Sequence, residues 1–352
     1  KCRDLSAEKI AAYKAEGREA VVRMRMPDGS TTFVDEIRGE VSFDHKFVPD
    51  FVLVRADGSP LYTLAVAVDD ILMKVTHVLR GEDLLSSTPR QIRVYQAMGV
   101  KPEDYPVFAH LPFVMGQDNA KLSKRNGEVS IAWYREQGYL PEAICNYLAL
   151  LGWSPGDDRE NITMKELCEL FTVEKVHSSP ARFDMKKLEA INGDKIRALT
   201  PDEFLKWSLP FLTKAGIITG TDSEIALVKA ALPIIQERIV KINEVPQMLK
   251  FLFVKEFAVE ADSVSKITDD VSKDVLKRSL KELEPLTTWN HDSIEAALRA
   301  CLIEEMGLKP RIAFGAVRIA TTGSTISPPL FESMELLGKE ASLARIAAAL
   351  TL

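Results

Sequence analysis

The sequence predicts a multidomain fold in which an α/β part is followed by an all-α part, and three observations carry that expectation. The first is size: 352 residues, 46% of them hydrophobic and 27% charged, suffice for two to three separately buried cores. The second is a strand, helix, strand pattern between Val75 and Met115, about 40 residues long, the length of a βαβ unit with a parallel strand pair and a right-handed crossover. The third is a change of texture at Arg125, with extended runs before it and capped helical segments after it.

In chain order, Ala20 to Met26 and Thr31 to Asp35 flank the turn Pro27-Asp28-Gly29-Ser30, and Phe51 to Arg55 and Leu61 to Val68 flank Asp57-Gly58-Ser59-Pro60. Both read as β-hairpins. The βαβ unit follows: a strand over Val75 to Arg80, a helix from about Thr88 with Pro89 in its first turn, and a strand over Val107 to Met115. Helix starts then recur at Pro141, at Thr163 with Glu166, at Thr200 with Pro201 and Glu203, and at Asn290 before an apolar run to Met306. Pro210, Pro233 and Pro246 fall inside apolar helical stretches and predict short or kinked helices there.

The four cysteines, Cys2, Cys145, Cys168 and Cys301, are widely spaced, with no metal-ligand or redox pairing, which suggests a reducing compartment. His77, His110 and His177 stand outside any metal-binding spacing, so no metal site is predicted from them. No apolar run reaches the roughly 18 to 20 residues of a membrane span, and no signal-like segment opens the chain, so a cytoplasmic location without membrane partners is expected. The net charge is −6 with no basic tail, so a polyanionic partner has to be met by local patches.

One such patch is Lys121-Leu122-Ser123-Lys124-Arg125, followed by the turn pair Asn126-Gly127. Two lysines three apart converge on one polyphosphate, and a small serine lets the backbone approach it. Taken alone, the same run is more often a solvated basic turn. No Gly-rich P-loop ending in Gly-Lys-Ser/Thr is present, so phosphate binding by that route is excluded.

The surrounding motifs decide between these readings. Lys121-Leu122-Ser123-Lys124-Arg125 resembles the second signature of class I aminoacyl-tRNA synthetases in the form used by bacterial glutamyl-tRNA synthetases. The segments Tyr62 to Met73, Val75 to Asp83 and Ser86-Ser87-Thr88-Pro89 resemble that family at the expected intervals. So do Trp133-Tyr134, Gly138 to Ala143, Leu151-Gly152-Trp153, Phe183-Asp184, Thr322-Gly323-Ser324 and Leu336-Leu337-Gly338. Departures occur at Val66, Asn126, Ala190 and Lys195.

The resemblance implies ATP-dependent attachment of glutamate to tRNA(Glu) through a glutamyl adenylate, with Mg2+ bound with ATP. It implies that Lys121 and Lys124 are catalytic, stabilising the pyrophosphate leaving group, and that Lys121, Ser123, Lys124 and Arg125 bind ATP. By the same resemblance Arg80 and Tyr62 bind glutamate, and Arg238, Arg318 and Ser327 contact tRNA. Asp69-Asp70, read as neighbours on a strand, would face opposite sides and could not share one centre, so structural or tRNA-proximal roles are expected for them. Some relatives hold zinc near the position of Cys2, with the partner cysteines upstream of that position.

The family's other signature, His-x-Gly-His, is absent, and so is the N-terminal strand bearing a substrate-binding arginine and serine. The sequence thus reads as an N-terminally truncated synthetase that would not activate glutamate alone. Residues 1–62 would finish an acceptor-stem-binding insertion and 63–118 the second half of a Rossmann-like catalytic domain. The signature loop and a stem-contact domain would occupy 119–200, with helical anticodon-binding subdomains over 201–262 and 263–352. A monomer is expected. The alternatives are a non-catalytic tRNA-binding module, or a non-discriminating synthetase that also charges tRNA(Gln). Glutaminyl enzymes, with β-barrel anticodon domains, and shortened glutamyl-queuosine enzymes fit the helical C-terminal part less well.

Overall fold

A computed structural model of the chain describes residues 3–116, 122, 130–254 and 256–352. The described residues fall into two compact units, one drawn from residues up to 122 together with Leu148–Asp184, the other from 130–147 and Met185–Leu352.

The first unit holds helix α1 (Ala7–Ala15), strands β1 (Val22–Arg23), β2 (Ser30–Asp35), β3 (Gly39–Asp44) and β4 (Val52–Val54), then α2 (Tyr62–Leu72), β5 (His77–Gly81), α3 (Thr88–Ala97), β6 (Val107–Leu111), β7 (Val114–Met115) and β8 (Ala181–Arg182). Its four-stranded sheet has the order β3-β2-β6-β5. β5 and β6 run parallel over five residue pairs, from His77 opposite Val107 to Gly81 opposite Leu111, with α3 between them, so the expected βαβ unit is present. β6 lies between β2 and β5, and Phe108, Ala109 and His110 are all buried, so both faces of the sheet are covered at this strand. Pro89 stands in the first turn of α3, whose Ile92, Val94 and Tyr95 join Ala67 and Phe108 in the α/β core.

The two hairpins pair differently from expectation. β2 pairs antiparallel with β3, not with the segment before Pro27, and the tight turn lies at 36–38. Asp35 Oδ1 accepts the N–H groups of Ile37 and Arg38 at 3.1 Å each, and Gly39 takes φ 73°, a left-handed conformation that a glycine adopts without strain. β1 pairs instead with β4. The run Leu61 to Val68, expected as a strand, lies in α2, where Leu64, Ala67 and Ile71 recur at helical spacing against the core. A short apolar run fits either period, and packing against α3 selects the helix.

The second unit is helical among its described residues. The capping boxes at Thr200 with Glu203 and at Thr221 with Glu224 form as reciprocal hydrogen bonds, the latter without having been anticipated. Thr163 with Glu166 does the same in the first unit. Asn290 caps His291–Leu298, but the following stretch Arg299–Glu305 is π-helical rather than a continuation of the α-helix. Pro210 is accommodated inside the helix Pro201–Lys214, whereas Pro233 and Pro246 stand in the first turns of the short helices Pro233–Gln236 and Val245–Leu249. A large apolar core containing Val275, Leu298, Val317 and Ile346 binds the C-terminal helices together. No helix among the described residues is long and apolar enough to cross a membrane.

Candidate functional site

Arg80 is the next-to-last residue of β5, where the register against β6 sets it beside His110. Its guanidinium is committed to neutral acceptors. Nε donates to His110 Nε2 at 3.0 Å, and Nη2 donates to Gln91 Oε1 at 2.7 Å, to Thr88 Oγ1 at 2.9 Å and to the Leu84 carbonyl at 3.4 Å. Nη1 is buried and has no hydrogen-bond partner among the described residues, and the same is true of Gln91 Nε2. No carboxylate forms an ion pair with Arg80 among the described residues, so a half-buried cation keeps one donor arm uncommitted. An arrangement of that kind suits a carboxylate ligand.

Behind Arg80, His110 and Asp35 are both fully buried, with His110 Nδ1 2.5 Å from Asp35 Oδ2. Burial, with the cations Arg80 and Arg38 acting in the same direction, pushes the His110 imidazole below its ordinary range against the opposing pull of Asp35. Arg38 in turn donates to the His110 carbonyl at 3.2 Å and pairs with Glu82.

Tyr62 opens α2 and is about half exposed. It and Arg80 both bear electrostatically on the Tyr95 hydroxyl, so the structure brings the two expected glutamate contacts into one neighbourhood. Asp69 and Asp70 lie on this helix and not on a strand: Asp69 is exposed, while Asp70 is buried and accepts the Tyr95 hydroxyl at 3.0 Å. They still point apart, because successive helical residues are rotated by about 100°. Burial raises the Asp70 carboxyl above its ordinary value.

Lys121, Ser123, Lys124 and Arg125 lie outside the described residues, as does Cys2. Of that motif Leu122 is described, its N–H donating to the Val114 carbonyl at 2.9 Å. Cys145 and Cys168 are exposed free thiols and Cys301 is buried.

In the second unit Arg318, on the helix Pro310–Thr322, donates from Nη1 to the Ser327 hydroxyl at 3.2 Å and to the Pro328 carbonyl at 2.8 Å. Its guanidinium is pushed below its ordinary range, first by burial and next by the charge of Arg238, with Glu332 opposing. Arg238 is exposed, just beyond the helix Pro233–Gln236. Arg238, Arg318 and Ser327 are thus brought together, and two neighbouring cations favour an anionic or acceptor-rich partner.

Sequence reasoning passed over His110, Asp35, Thr88 and Gln91. One signal was available: a histidine inside the apolar run Val107 to Met115 is headed for burial, and a buried imidazole requires partners. Which partners those are cannot be read from spacing, since Asp35 is 75 residues away.

The family model described as tRNA synthetases class I (E and Q), catalytic domain, matches residues 1–190, and the one described as anticodon binding domain matches 203–350. A glutamate–tRNA ligase of Nocardioides sp. is 51% identical over 356 residues, 99% of this chain and 72% of that protein. One from Saccharopolyspora erythraea is 49% identical over 353 residues, 99% of this chain and 70% of its own length. Among solved structures, a glutamate tRNA ligase from Elizabethkingia meningosepticum in complex with its amino acid aligns with TM-score 0.79 at 29% identity, over 99% of this chain and 71% of that one. The glutamate-tRNA synthetase of Elizabethkingia anophelis aligns with TM-score 0.78 at 28% identity, over the same shares. With two family models in succession and relatives near half identity along its whole length, the chain belongs to the glutamate–tRNA ligase family of class I tRNA synthetases.

Proposed function

We propose that this chain serves the ATP-dependent attachment of glutamate to tRNA(Glu) through a glutamyl adenylate, as a cytoplasmic monomer. The observation that carries the reading is Arg80: a half-buried cation held by neutral acceptors, with Nη1 left for a carboxylate. In this reading Arg80 and Tyr62 hold the glutamate side chain while its α-carboxylate attacks the α-phosphate of ATP. Lys121 and Lys124 stabilise the charge that develops on the leaving pyrophosphate, and Ser123 and Arg125 complete the contacts to ATP, whose bound Mg2+ would supply further neutralisation of phosphate charge.

Arg238 and Arg318, the latter anchored by Ser327, contact the tRNA anticodon region. The division of labour follows the domain boundaries expected from the sequence: stem-binding insertion to 62, catalytic half-domain to 118, signature loop and stem contact to 200, and anticodon-binding helices beyond. The test is ATP/pyrophosphate exchange with glutamate and tRNA(Glu), run on this chain and on the same chain preceded by a His-x-Gly-His segment. Glutamate-dependent exchange in the extended protein is expected, and its absence there would sink the enzymatic reading.

The match of the anticodon binding domain model to residues 203–350 is also compatible with a second reading, a tRNA-binding module without catalysis. Retained tRNA binding in a gel shift, with no exchange in either form, is the outcome that selects it.

A further inference from the structure

Asp35, His110 and Arg80 form one continuous hydrogen-bonded chain running from the end of β2 through β6 to β5. The protonation pattern follows from what each atom is able to do. Asp35 Oδ1 is occupied by three backbone N–H donors, those of Ile37, Arg38 and His110, at 3.1, 3.1 and 3.2 Å. Oδ2 therefore faces the imidazole, and because a carboxylate only accepts, His110 Nδ1 carries the proton it donates. Arg80 Nε only donates, so His110 Nε2 must be a bare lone pair. The ring is fixed as the neutral Nδ1–H tautomer, and a proton on Nε2 would set an N–H against the Arg80 N–H.

We infer that the buried Asp35–His110 pair is a positioning device for glutamate recognition, holding Arg80 by its Nε so that the buried Nη1 is kept without a protein partner, for the substrate side-chain carboxylate to engage. The inference rests on the reading of Arg80 as the glutamate ligand. A guanidinium on a flexible stem loses rotamer freedom when it binds, and a buried acceptor at Nε removes that loss before the ligand arrives. Gln91 and Thr88 fix the Nη2 side of the fork, so its plane is defined by three side chains from α3 and β6. Asp35 and His110 touch no substrate in this scheme and act only through Arg80. The charged groups that face His110 are Asp35 from β2, Arg38 from the β2–β3 turn and Arg80 from β5, with Glu82 engaged on Arg38.

The experiment measures KM for glutamate and for ATP in the chain preceded by a His-x-Gly-His segment and in its variants, and the imidazole tautomers by NMR of 15N-histidine-labelled protein, which has five histidines in this chain. His110→Leu and Asp35→Asn are expected to raise the KM for glutamate by about tenfold or more while the KM for ATP stays within about twofold. His110→Gln, which keeps an acceptor within reach of Nε, is expected to recover most of the loss. In the unsubstituted protein one imidazole is expected to remain a neutral Nδ1–H tautomer at pH values where exposed histidines titrate, a reading that needs no variant to fold. Equal losses for glutamate and ATP, an unchanged KM for glutamate in His110→Leu, or an Nε2–H or doubly protonated ring overturn the positioning role. Arg80→Leu separates the two levels: if it leaves the KM for glutamate unchanged, the assignment of Arg80 falls and takes the proposal with it. If it abolishes glutamate binding while His110→Leu and Asp35→Asn do nothing, the positioning role alone falls.

Discussion

The Tyr95 hydroxyl donates to Asp70 Oδ2 at 3.0 Å, joining α3 to α2 inside the α/β core, where Tyr95 is fully buried. Tyr95→Phe removes the donor and leaves a buried carboxyl without it, so a loss of about 1 to 3 kcal/mol in urea unfolding is expected. The carboxyl is raised by burial, so the folded state holds its proton more tightly than the unfolded chain does. Its contribution is therefore greatest below the ordinary aspartate range and is lost as pH rises through the raised value. Asp70→Asn keeps an acceptor for Tyr95 and removes this dependence, so it should be at least as stable as the parent at pH 7 and gain nothing at pH 4. A clear loss at pH 7 would contradict this account.

Gly138 ends the helix Ile131–Gln137 with φ 80°, and a Cβ there would stand 2.5 Å from the Asn243 nitrogen and 2.7 Å from that of Ile242. The Ile242 N–H donates to the Gly138 carbonyl at 3.1 Å, so the two backbones are docked closely and neither neighbour is a yielding side-chain tip. Gly138→Ala combines left-handed strain with a backbone clash and should cost at least about 2 kcal/mol. Thermal unfolding of that variant beside Gly156→Ala, where nothing lies within 4 Å, separates the clash from the strain.

His291 and Glu335 meet with Nδ1 to Oε2 at 2.7 Å, and this contact raises the imidazole above its ordinary value while lowering the carboxyl. For the histidine the stabilisation is complete below the unfolded value near 6.5 and disappears as pH rises through the higher folded value. For the carboxyl it is present above the ordinary glutamate range and disappears as pH falls. Stability should therefore fall as pH rises from below 6.5 through the raised folded value in the parent and fall less in His291→Gln, measured by chemical unfolding at fixed ionic strength. Parallel pH profiles would argue against the pair.

Lys124→Ala, in the protein able to exchange, should slow glutamate activation by ~100-fold or more while tRNA affinity stays within a few-fold. That split is the mark of a cation acting on charge that develops in the transition state. Equal losses in rate and tRNA affinity would make Lys124 a simple tRNA contact.

Arg238→Gln should change the ratio of aminoacylation of tRNA(Glu) to tRNA(Gln), since Arg238 is the exposed member of the pair whose other cation is anchored on Ser327 and Pro328. Unchanged selectivity would remove it from the reading surface.

The legible features were the local ones. Thr163 with Glu166, Thr200 with Glu203, and Asn290 each set a helix start through hydrogen bonds spanning three residues, Pro89 does so through its fixed φ and missing N–H, and all four starts are observed. The parallel β5–β6 pair was legible too, because α3 lies between two apolar extended runs. The first hairpin was misplaced because two turn signals compete within a dozen residues, and the Asp35 side chain favours the later one. Arg80, Arg238 and Arg318 came into view through motif resemblance, not through spacing. The partners of Arg80 did not come into view at all.

The chain's own order of residues determines an α/β part before an all-α part, where most helices begin, and which cations are worth watching. These depend on periodicity and on contacts between near neighbours, which a linear text records. Folding in space decided that β1 joins β4, that Leu61 to Val68 becomes helix, and that Asp35, His110 and Arg80 make one hydrogen-bonded line. Those outcomes depend on which buried groups meet across many residues of chain, where the cost of an unpaired polar atom, rather than local propensity, selects the partner.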